Sequence, residues 1–252
     1  MNAPQPDAVR SPLPVEEYVE QQHLFSILGE RLRQNMPAQQ VLEAVREEIL
    51  VTTKLPMAIA LLLAELRHVG AMAAGMRRLP HYFTPFQCYV MGEAEDDRRR
   101  FDLRIALEVL ASEAGYRVEG ITRQGLFLFQ LEVLCRNRLG YDKGLDAVAG
   151  DPSYTSAWAD WIATVRRQIG IIDLADLIYV RSEYYNERES RAASDGPSTE
   201  TLPPRLFGVR EGRIAWANRR KAPLLLFAAL HRPRGSAAAP RTPGKRPSRS
   251  RR

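Results

Sequence analysis

From Val15 to Tyr185 apolar residues recur at three- and four-residue intervals, and prolines and glycines cut the pattern into helix-length pieces. A chain patterned this way cannot bury its apolar side chains as strands, whose period is two. The first helix is expected over Val15 to Gln34, with Val15, Tyr18, Phe25, Leu28, Leu32 and Met36 on one face. Pro37 opens the next, to about Val51, and Leu55 to Val69 is apolar nearly all round with Gly70 as its stop. Thr84, Pro85 and Gln87 form a capping box, from which one long helix is expected to run to about Ala114. Further helices are expected from Gln124 to Leu139, from there to Gly150, from Pro152 behind an Asp151 cap, and from Asp173 to about Arg191. Trp158 and Trp161 fall on the inward stripe of their segment and are assigned to the core.

Beyond the linker the period changes. Leu206 to Val209 and Arg213 to Ala217, joined across Glu211 and Gly212, read as a β-hairpin, and Pro223 starts a short apolar helix over Leu224 to Leu230. The fold class is therefore all-α: a multi-helix bundle or irregular helical array of about seven to eight helices, with a small C-terminal β-hairpin plus helix and disordered termini. The expected organisation is a disordered leader at 1–13, a helical domain at 14–192, a Ser/Thr/Pro-rich linker at 193–203, the hairpin and short helix at 204–231, and a disordered basic tail at 232–252. Residues 204–231 are too few for a core of their own, so they are expected to dock.

Charge is distributed unevenly. The chain carries a formal +6, but Gly212 to Arg252 holds twelve Lys/Arg and no acid, which leaves −6 for residues 1–211. Two cysteines, Cys88 and Cys135, lie in helical patterns and are too few for a disulfide scaffold, so a reducing, cytoplasmic setting is expected. The leader has no apolar run of the kind a signal peptide needs, and the longest apolar stretch, Leu55 to Ala64, is about half a membrane span. No membrane partner is expected.

Candidate chemistry is sparse. Glu20 with His23, and Glu65 with His68, repeat the acid-to-histidine spacing of carboxylate-bridged metal bundles. The first pair falls opposite Phe25 and Leu28, and the second shares a stripe with Lys54, so solvated helix faces are the preferred reading and neither a metal nor a cofactor is expected. In the run from Glu93 to Arg100, Glu95 with Arg99 and Asp96 with Arg100 are acid-first pairs that suit a salt-laced surface helix. His81 stands in an aromatic turn without an orienting partner. Arg136, Arg138, Arg166 and Arg167 suit helix C-termini. The tail cations Arg241, Lys245, Arg246, Arg249, Arg251 and Arg252 suit non-specific polyanion contact, such as nucleic acid. No Gly-rich phosphate loop, dinucleotide fingerprint, paired-cysteine motif or nucleophile elbow is present. The sequence points to a non-catalytic helical protein-interaction or scaffold protein with a protein partner. A nucleic-acid-associated accessory protein and an enzyme with a helical site, with or without a metal, stand as alternatives.

Overall fold

The capping box expected at Thr84 closes as written: the Thr84 hydroxyl accepts from the Gln87 backbone N–H at 3.2 Å, and the Gln87 side chain accepts from the Thr84 N–H at 3.0 Å. Side-chain caps at Asp102, Thr122 and Asp173 open three other helices in the computed structural model of this chain, which describes residues 13–49, 52–96, 98, 101–192 and 204–230. The expected leader and basic tail lie almost wholly outside the described residues.

Thirteen helices and no β-sheet occur among the described residues. They are α1 (Val15–Arg33), α2 (Ala38–Glu48), α3 (Leu55–Val69), α4 (Met72–Arg77), α5 (Pro85–Glu95), α6 (Leu103–Val118) and α7 (Arg123–Arg136). After them come α8 (Tyr141–Ala149), α9 (Ser156–Gln168), α10 (Leu174–Tyr179), α11 (Glu183–Ala192), α12 (Val209–Ala217) and α13 (Pro223–Leu230). None is long and apolar enough to cross a membrane. Most helices pack on their sequence neighbours, and α1 lying along α6 closes the array.

The core is continuous from α1 to α13. Its aromatic centre joins Phe127 of α7 to Trp158 and Trp161 of α9, the two indoles meeting edge to face at 5.5 Å. Phe207, from the strand-like approach to α12, caps this cluster at 5.3 and 5.1 Å from the two indole centroids. Gln124 Nε2 donates to the Leu206 carbonyl at 2.8 Å beside it. The C-terminal helices therefore rest on the body through an aromatic plug, while α13 touches α7.

Several expectations are corrected. The helix count exceeds seven to eight because two expected helices are each broken and because α4 and α12 form where no helix was expected. The one expected from Thr84 to Ala114 stops at Glu95 and restarts at Leu103, where the Asp102 carboxylate caps the Arg104 N–H at 2.7 Å and Phe101 turns inward. The one expected from Asp173 to Arg191 breaks after Tyr179, where the Ser182 hydroxyl donates to the Tyr179 carbonyl at 2.6 Å and accepts from the Tyr185 N–H. α4 lies in a segment assigned to no helix.

The β-hairpin is absent, and its second half is α12. Gly208, Gly212 and Ala215 follow helical spacing, and Gly212 packs so closely on Ser182 and Tyr184 that no side chain fits there. Gly212, read as a turn signal, is a helix-packing residue. Asp151 does not cap α9, whose cap is Thr155. Val15 is exposed, and α1 turns Glu17, Glu20 and Gln21 inward alongside Tyr18, Leu24, Phe25 and Leu28.

Candidate functional site

The inward polar strip of α1 begins a chain of hydrogen bonds through the core. Glu17 accepts from the Tyr82 hydroxyl at 3.0 Å and from the Lys54 backbone at 2.8 Å. Burial, with the Glu17 charge second, pushes the Tyr82 phenol well above its ordinary pKa. Gln21 Nε2 donates to the Tyr82 carbonyl, and Gln87 Nε2 donates both to Gln21 Oε1 at 3.0 Å and to Glu113 Oε2 at 2.9 Å. Gln87 thus caps its helix with one end of the amide and joins the network with the other.

Glu113 holds Arg117, one turn later on α6, through Nε at 2.9 Å and Nη2 at 2.6 Å. The same guanidinium reaches Asp151 at 2.5 Å and the Ser153 hydroxyl at 2.8 Å, and it lies over the Tyr18 ring. Gln130 and Tyr154 extend the chain beyond Asp151. Burial disfavours the charged form of Arg117, but Glu113 and Asp151 outweigh it and hold the pKa well above the usual arginine value. Burial, then the Asp151 charge, likewise raises Tyr154 far above a free phenol. Charges this deep persist only where each has partners. The Glu113/Arg117 spacing was legible as an acid-first helical pair. Its burial was not, because Asp151 joins it from another loop.

The expected site residues lie apart from this hub. Glu20 is buried, contrary to the solvated face expected for it, because α1 buries a polar strip; His23 is exposed. Glu65 pairs with Arg78, and His68 is exposed. Among the described residues no group of three or more His, Cys, Asp or Glu is arranged to hold a metal ion. Glu95 is the last residue of α5. Its two carboxylate oxygens accept from the Met72 and Ala73 N–H groups at 2.6 and 2.8 Å, which starts α4. Burial first, against those N–H groups and Arg77, holds its carboxyl above the ordinary range. Asp96 ends α5 and accepts from the Arg98 N–H, while Arg99 and Arg100 lie outside the described residues. His81 lines a cleft of about 280 Å³ with Lys54, Met57 and Tyr82. Arg136 pairs with Glu132, and Arg166 with Asp142 and Asp146. The six tail cations from Arg241 to Arg252 lie outside the described residues.

Two further clefts differ in chemistry. One, of about 360 Å³, is lined by Arg77, Pro80, Phe83, Pro85, Cys88 and Tyr89. Burial pushes the Cys88 thiol up to about 11, so it stays protonated and weakly nucleophilic at neutral pH.

The other, of about 400 Å³, is formed by α10, α11 and α12, and its lining includes Tyr179, Tyr185, Arg188, Trp216 and Arg219. The Trp216 ring carries the Arg188 guanidinium 4.0 Å and that of Arg219 4.2 Å from its centroid, and Tyr179 lies 4.7 Å away. Arg219 is also paired with Asp176. Ile171, Ile172, Val180, Leu224 and Leu225 are exposed on the same group of elements, and the Asp173 carboxylate ties this end together by accepting the Arg220 N–H. Sequence reading placed Trp216 in a strand and missed this grouping. Only a helical register for 209–217 brings Trp216 to Arg219, one turn away.

No protein-family model matches the chain, and no curated protein or solved structure matches it either.

Proposed function

We propose that this chain is a helical protein-interaction or scaffold module that engages a protein partner through the α10–α13 end. The observation that supports this reading is the composition of that cleft. Trp, Tyr and Arg are the residue types that carry most binding energy in protein interfaces, and here they are pre-packed in a cleft that the exposed Val180 also lines, while the adjoining α13 exposes Leu224 and Leu225. A ring already clamped by two guanidinium groups loses little side-chain freedom when a partner covers it. The two free thiols accord with a cytoplasmic setting. The test is capture of partners from the native host by the wild-type chain and by Leu225→Asp. Leu225 is 55% exposed, so the variant should melt unchanged and lose the specifically retained partner. Unchanged retention contradicts the reading.

A second reading has its own support in the excess of cations from Gly212 onward. The tail at 232–252 would then act as an electrostatic tether to nucleic acid, with a log–log salt slope of roughly −0.7 to −0.9 per phosphate contact. Binding of fluorescent DNA and RNA should fade steeply with salt and be lost in a chain ending at Arg232. Equal binding by both chains rules the tether out.

A further inference from the structure

The two arginines on Trp216 are not equivalent. Arg219 has its charge answered by Asp176. Arg188, half-buried and held on the same ring, lies in the lining of the cleft and has no carboxylate partner among the described residues. Resting on the protein-interaction reading above, we propose that this cleft takes a carboxylate side chain from an acidic, apolar segment of a protein partner, with Arg188 as its bidentate anchor.

Three features favour that occupant. A planar guanidinium held on an aromatic ring offers two parallel N–H groups, which match a carboxylate. The 204–230 stretch carries six Lys/Arg against one acid, Glu211, and the 173–192 stretch that faces it five acids against three arginines, so this end keeps a net positive charge that favours an acidic partner. The exposed Ile171, Ile172, Leu224 and Leu225 call for apolar cover, which a phosphate backbone does not supply, and Glu189 in the lining opposes a dense polyanion.

The probe is a fluorescent fifteen-residue amphipathic peptide with leucines at i, i+4 and i+7 positions, two glutamates flanking them and alanine or glutamine elsewhere, compared with the peptide in which those two glutamates are glutamines, on the full-length chain. The expected result is binding of the glutamate peptide, at least about ten-fold weaker binding of the glutamine peptide, and loss of that difference in Arg188→Gln. Arg188→Lys should recover only part of it, since an ammonium keeps the charge without the fork. All protein variants retain the basic tail, whose attraction for the glutamate peptide is the same in each, so the part of the difference that Arg188→Gln removes belongs to the cleft.

Equal affinity for both peptides, absence of binding, or Arg188→Gln behaving as wild type overturns the inference. So does displacement of the peptide by oligo-dT whose own binding depends on Arg188, which would assign the cleft to nucleic acid. Host-partner capture separates this inference from the reading beneath it. Loss with Leu225→Asp but retention with Arg188→Gln keeps the interaction face and rejects the acidic anchor. Retention with both rejects both.

Discussion

Arg117 and Arg188 are the same side chain in opposite circumstances. Arg117 is enclosed by Glu113, Asp151, Ser153 and the Tyr18 ring, so its charge and most of its donors are committed within the fold. Arg188 rests on the face of Trp216 and has no carboxylate partner among the described residues. Burial decides which role a guanidinium can have. In the interior an uncompensated charge costs several kcal/mol, so partners there are obligatory. At the α10–α12 surface water can satisfy the fork until a ligand replaces it.

The largest effect should come from Arg117→Met, which leaves two carboxylates facing each other in the core. A loss of about 3–5 kcal/mol, or failure to fold, is expected in urea unfolding. Neutralising the partners as well, with Glu113→Gln and Asp151→Asn, should return much of it, because the cost lies in the unpaired charges. No recovery in the triple variant would mean that the hub acts through packing and would blur the contrast with Arg188.

Phe207→Ala comes next. It empties the contact with Trp158 and Trp161 and should cost about 3–5 kcal/mol, read by thermal melting. An unchanged melting curve would show that the C-terminal end is not held on the body by this plug.

Smaller still is Glu95→Ala, which strips the start of α4 and should cost about 1–2 kcal/mol. Its pH dependence has a definite sign. A carboxyl whose folded pKa is raised binds more protons in the folded state than in the unfolded one. Its stabilising contribution is complete below the unfolded pKa and is lost as pH rises through the folded one. The wild type should therefore lose stability relative to Glu95→Gln as pH rises through the mildly acidic range. The opposite slope would mean that the capped N–H groups outweigh burial.

Local chemistry was legible and long-range partnership was not. Thr84 with Gln87, the Gly70 stop and the Asp173 cap act within one turn, and each stands where the sequence places it. The inward Trp158 and Trp161 were equally readable, since their spacing alone sets their face. Gln87 and Asp151 read as cap residues, and nothing local singles out Gln21, Glu113 or Arg117. Their meaning arises only when α1, α5 and α6 bring them together with the α8–α9 loop. Gly212 failed for a related reason: a glycine marks a turn or a close helix contact, and only the position of Ser182 distinguishes them. The candidate cleft followed from that same register, so an error in a nine-residue helix concealed it.

The contrast between a committed and an available guanidinium is tested most directly by urea unfolding of Arg117→Gln and Arg188→Gln side by side. The account predicts a loss of about 3 kcal/mol or more for Arg117→Gln and no more than about 1 kcal/mol for Arg188→Gln, the scale of an exposed cation–π contact. Comparable losses at the two positions would contradict it, since Arg188 would then be as much a part of the fold as Arg117.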